Sequence, residues 1–100
     1  MKKEDILKDA LKIVEERGGE YGDAYELHEK IAIIWMALLD VEIAPHQVPL
    51  AMIGIKMARL LDNPAHKDSW VDIAGYAAVG AECVNDVDNI INYDDYAKDD

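Results

Sequence analysis

The chain has 100 residues, a net charge of −11, one cysteine and no phenylalanine. This is the length of one small domain with a single core. So acidic a chain lacks the basic footprint that phosphate backbones require, which argues against a nucleic-acid partner. A lone cysteine excludes an intrachain disulfide and a thiolate metal cluster, and we expect Cys83 to be a buried apolar thiol. No signal-peptide core or membrane-length apolar run is present, so the expected setting is cytoplasmic, with no membrane partner.

The apolar residues Ile6, Leu7, Ala10, Leu11, Ile13 and Val14 recur at helical spacing, predicting a first helix from about Lys3 to Arg17 that Gly18–Gly19 stops. Asp23 is positioned to cap a second helix ending near Asp40, with Leu27, Ile31, Ile34, Trp35, Leu38 and Leu39 as its apolar stripe. Pro45 suits the first turn of a third helix. Pro49 fits that start poorly, so regular helix is expected either distorted there or beginning nearer Val48 and running to Asp62. A fourth helix begins near Lys67 or Asp68 and extends to about Ile91. The expected architecture is all-α, a four-helix bundle-like domain over residues 1–91. An acidic tail follows over 92–100, where too little apolar material remains to demand order.

Positions 68, 72, 75 and 79 share one face of the fourth helix and place Asp68 and Asp72 one turn apart. Two readings stand side by side. In one, Asp68 caps the helix and Asp72 is solvated; in the other, both face a polar site between helices. Glu26 and Glu29, at i, i+3 in "ELHE", are either solvent-facing or a second carboxylate pair. Four such carboxylates would make a hard-oxygen cage suited to Mg²⁺ or Mn²⁺. Lys56 and Arg59, alone in an otherwise apolar helix, are candidate phosphate or carboxylate contacts, or internal partners of Asp68 and Asp72. His66 can donate to phosphate or orient a carboxylate, and Tyr21, in the "EYGD" turn, can cover a base or ribose. His28 and His46 read as surface or cap histidines, and Trp35 and Trp70 as core anchors. Gly75 and Gly80 cost helix propensity, which suggests close helix contacts.

The order "EYGD", "IAIIW", "IKMARL" and "HKDSWVDIAGYAA", over about Glu20 to Glu82, resembles small helical proteins encoded largely by phages and prophages. It is also similar to nucleotide-modification-associated domains and, more distantly, to MazG-like all-α nucleoside triphosphate pyrophosphohydrolases. That resemblance implies a MazG-like helical fold that assembles as a dimer or tetramer. It implies metal held by an ExxE pair, matched by Glu26 and Glu29, and by a later ExxD pair, replaced here by the DxxxD of Asp68 and Asp72. It also implies phosphate contacts at Lys56 and Arg59.

The leading expectation is a metal-dependent hydrolase cleaving a nucleoside triphosphate between its α and β phosphates. Glu26, Glu29 or Asp72 would serve as general base, with Tyr21, Lys56, Arg59 and His66 contacting the nucleotide. Two alternatives belong to other classes: a phage protein that binds or sequesters a nucleotide or nucleotide signal without catalysis, and a module whose acidic tail engages a host protein.

Overall fold

A computed structural model describes residues 1–21, with only the backbone at Tyr21, and 23–84. The described residues form four helices and no strand: α1 (Lys3–Tyr21), α2 (Ala24–Leu39), α3 (Gln47–Asp62) and α4 (Lys67–Cys83). The four-helix, all-α expectation therefore holds. The acidic tail at 92–100 and the base-covering role given to Tyr21 lie outside the described residues and side chains.

Several helix ends differ from their predicted positions. Helix α1 continues through Gly18 and Gly19 to Tyr21. Two glycines weaken a helix by about 1 kcal/mol each without forbidding it, and the preceding four turns supply the template. Asp23 caps α2 as expected, its Oδ1 accepting the N–H groups of Tyr25 at 2.8 Å and Glu26 at 3.4 Å. Asp40 ends α2 in the left-handed region, φ 56°, donating its N–H to the Met36 carbonyl at 2.9 Å. Helix α3 starts at Gln47, leaving Pro45 in the preceding turn and Pro49 at the third helical position, where its missing N–H has no intrahelical partner to lose.

The start of α4 is a correction to the Asp68 cap. His66, not Asp68, stands at the N-cap; its carbonyl accepts the Ser69 N–H, and its Nδ1 lies 2.7 Å from the Ser69 hydroxyl. At the other end α4 runs to Cys83, with Val84 extended at ψ 96°; the predicted continuation to about Ile91 lies outside the described residues.

Helix α4 is the centre of the packing, meeting α3 most extensively and α1 next, whereas α2 touches its neighbours more sparsely. The seam with α3 closes where buried Gly80 meets buried Pro49: a Cβ on residue 80 would lie 3.4 Å from the proline ring. Residue 75 approaches Val14 of α1 at 3.7 Å in the same sense. Both glycines thus face a neighbouring helix, at distances where a Cβ would make ordinary van der Waals contact rather than a clash. Between α1 and α4, Lys67 bridges Asp9 at 3.0 Å, and this hydrogen-bonded carboxylate raises the lysine pKa. Both groups remain about half exposed, so the pair contributes little to stability.

Among the described residues few hydrophobic side chains are buried: Ala10, Ala32, Val48, Val71 and Cys83, beside the buried ring of Pro49. Large apolar side chains instead remain at the surface. Helix α2 carries no charge from Ile31 to Leu39, yet Ile33, Ile34, Leu38 and Leu39 are each more than half exposed. On α3, Leu50, Gly54, Met57 and Leu61 form an exposed i, i+4, i+7, i+11 stripe, with Leu61 87% exposed and open space beside Gly54. Trp70, expected as a core anchor, is also partly exposed and donates its indole N–H to the Pro64 carbonyl at 2.8 Å, closing the turn before α4. No helix among the described residues is long and apolar enough to cross a membrane.

Candidate functional site

The four helices border a partly open cavity of about 340 Å³, within the range of small-molecule sites. Helix α1 supplies Ile13, Val14, Arg17 and Gly18, and α3 supplies Val48 and Met52. Helix α2 contributes the stripe Ala24, Leu27, His28, Ile31 and Trp35, whose i, i+3, i+4, i+7, i+11 spacing makes one helix face. Helix α4 contributes Val71, Asp72, Gly75, Tyr76, Val79 and Glu82. Three of the four positions that the sequence set on one α4 face, Asp72, Gly75 and Val79, thus line the same wall. Asp68 does not; it is exposed, one turn nearer the helix start.

Asp72 lies 2.9 Å from the Lys56 ammonium, and both side chains are mostly withdrawn from water, at 23% and 14% exposure. The internal salt bridge, one of two readings open to the sequence, is the arrangement found. Arg59, one turn further along α3, is exposed and makes no ion pair among the described residues. His66 is half-buried and engaged with Ser69 at the start of α4, outside the cavity wall.

Glu26 and Glu29 are exposed. Glu26 lies two residues from Ala24 and His28, and Glu29 two from Leu27 and Ile31. At about 100° per residue, a two-residue step turns a side chain roughly to the opposite side of the helix. The ExxE pair therefore points away from the cavity that Asp72 lines. Among the described residues no three or more His, Cys, Asp or Glu side chains come together to hold a metal ion. Asp72 is moreover already paired with a cation. The donor set that the resemblance implies for Mg²⁺ or Mn²⁺ does not converge within one chain.

Other residues of the wall were not singled out by sequence. His28, read there as a surface or cap histidine, is 8% exposed and belongs to the apolar stripe of α2. Its Nδ1 lies 2.7 Å from the Ala24 carbonyl, an acceptor only, so Nδ1 carries the proton. The Cys83 thiol also approaches that carbonyl, at 3.6 Å, joining the end of α4 to the start of α2. Burial, chiefly, with the nearby charges of Glu82 and Asp23, pushes the Cys83 thiol up to about 11, so at neutral pH it is a structural donor rather than a nucleophile. Arg17 and Tyr76 were recognisable only as positions in phase with Ile13/Val14 and Asp72. His46, beside the start of α3, makes no cap hydrogen bond, and its Nδ1 is buried without a partner among the described residues.

Residues 5–84 match the family described as "Domain of unknown function (DUF6378)". The chain is 47% identical over 76 residues to the Gene 55 protein of Mycobacterium phage L5, an alignment covering 74% of this chain and 49% of that protein. It is 37% identical over 75 residues to the Gene 55 protein of Mycobacterium phage D29, covering 74% of this chain and 50% of that protein. The chain thus spans about half the length of the curated relatives it matches. No solved structure matches it.

Proposed function

The chain belongs to the DUF6378 family, and we propose that it is a phage-type protein whose four-helix cavity binds a nucleotide or nucleotide-derived small molecule. The observation that carries this reading is the cavity's make-up. Its walls are largely apolar and include Trp35 and Tyr76, and a few polar groups, Arg17, His28, Asp72 and Glu82, are set into them. An aromatic heterocycle recovers hydrophobic and stacking energy against such walls, while isolated polar groups fix its orientation. Arg17 is the cation of the wall and makes no ion pair among the described residues, so it is the first phosphate contact. Lys56 supplies positive potential behind Asp72.

Cleavage between the α and β phosphates, in the MazG-like manner, is the stronger form of the same proposal. The positions of Glu26 and Glu29 mean that it requires carboxylates from outside the single-chain arrangement. The uncovered apolar surfaces of α2 and α3 support a homo-oligomer, dimer or tetramer, since burying a leucine-sized side chain gains roughly 1.5–3 kcal/mol. Calorimetric titration of the full chain with nucleoside mono- and triphosphates, with EDTA and with Mn²⁺, tests both forms. Binding in EDTA with ligand recovered intact supports the binding protein, and pyrophosphate release with Mn²⁺ supports the hydrolase. The absence of both removes the nucleotide reading.

A further inference from the structure

The cavity's polar groups are mostly acceptors, and one of them has its hydrogen fixed by the backbone. Because the Ala24 carbonyl holds the His28 proton on Nδ1 at 2.7 Å, neutral His28 presents Nε2 as a lone-pair acceptor. That nitrogen is on the ring edge away from the α2 backbone. The ring itself lines the cavity, and Nε2 makes no hydrogen bond to a described residue. Asp72, with one oxygen committed to Lys56, and Glu82 add carboxylate acceptors to the cavity from α4. A ligand presenting only acceptors would face lone pair against lone pair there; one with an N–H donor satisfies groups that otherwise need water.

We propose that His28 is a specificity-determining residue whose Nε2 accepts a hydrogen bond from the ligand, so that the cavity selects heterocycles bearing an exocyclic amine. This rests on the nucleotide reading above and narrows it to amino-bearing bases. A site built to pair a donor rejects the analogue lacking it more strongly than an apolar pocket rejects a lost methylene.

The experiment is a titration of the full chain with matched pairs. Adenosine monophosphate is compared with purine riboside monophosphate, and cytidine monophosphate with the analogue lacking its 4-amino group. The amino-bearing member of at least one pair should bind ten-fold or more tighter. In His28→Phe, which keeps an aromatic ring and removes the acceptor, that ratio should collapse to within about two- to three-fold while the weaker analogue binds as before. Equal binding of both members of each pair by the wild type overturns the His28 assignment and leaves the nucleotide reading standing. Binding of no nucleotide overturns both. Should His28→Phe melt below the titration temperature, His28→Leu, which likewise lacks an acceptor, is titrated in its place at a lower temperature, and a ratio that survives the substitution overturns the assignment.

Discussion

Replacing Asp72 with Asn separates the two roles open to this residue. Its carboxylate sits 2.9 Å from Lys56, with the two side chains 23% and 14% exposed. Breaking a buried pair by removing one charge costs about 3–5 kcal/mol, whereas a surface pair is worth about 0–1 kcal/mol. A pair roughly four-fifths withdrawn from water lies nearer the first limit, so Asp72→Asn should destabilise by about 2–3 kcal/mol. For a domain of this size that lowers Tm by roughly 10–20 °C. The cost arises from the Lys56 ammonium left poorly paired, so Lys56→Met combined with Asp72→Asn should recover much of it, a non-additivity that a double-mutant cycle measures directly. Thermal melts in EDTA and in Mn²⁺ complete the assay. A metal ligand crowded by other carboxylates would behave oppositely: Asp72→Asn would hold or raise stability in EDTA and lose a Mn²⁺-induced shift. A mutant melting at or above wild type in EDTA refutes the salt-bridge reasoning.

Three other perturbations address separate parts of the structure. Asp40→Gly relieves a left-handed residue at the end of α2 and should stabilise the protein by about 0.5–1 kcal/mol in chemical denaturation, whereas a loss would show that the carboxylate has a role beyond the turn. With its pKa raised to about 11, Cys83 should be under about a hundredth thiolate at pH 8 and react with a thiol reagent only after denaturation. Because the folded-state value lies above the unfolded one, the protonated thiol favours the folded state fully below about pH 9, and that contribution is lost as pH rises through about 11; Cys83→Ala should remove this alkaline component from the pH–stability profile. Leu38→Glu with Leu61→Glu should move a sedimenting oligomer toward monomer without unfolding it, since both side chains are mostly exposed within one chain; a wild type that sediments as a monomer contradicts the oligomer.

The fold was largely legible because helix-forming periodicity and capping are local. The Asp23 cap, the end of α2 at Asp40 and the stop of α3 at Asp62 all follow from short-range chemistry. Gly18 and Gly19 misled because propensity is a weak cost that a long helix can carry. The site was less legible because it depends on which helix face turns inward. The sequence marks Glu26 and Glu29 as a pair but not that His28, between them, belongs to the inward stripe with Ala24, Ile31 and Trp35. Arg17 escaped notice for the same reason, as one charge among many on α1. Conversely, the i, i+4 spacing of Asp68 and Asp72 was visible, and so were Lys56 and Arg59 as possible partners, but packing between helices selects the Lys56–Asp72 pair that separates the two carboxylates' environments.

The central claim is that the four-helix cavity receives a nucleotide base, and a direct measurement is protection of its wall on binding. Tryptophan fluorescence of a Trp70→Phe variant reports on Trp35 alone, because these are the only two tryptophans in the chain and Trp70, in the first turn of α4, does not line the cavity. Titration with an amino-bearing nucleotide should change Trp35 emission saturably, with the same Kd as calorimetry, and Tyr76→Ala should weaken both in parallel. Nucleotide binding by calorimetry with unchanged Trp35 emission, and an affinity indifferent to Tyr76→Ala, would place the ligand elsewhere and contradict the account.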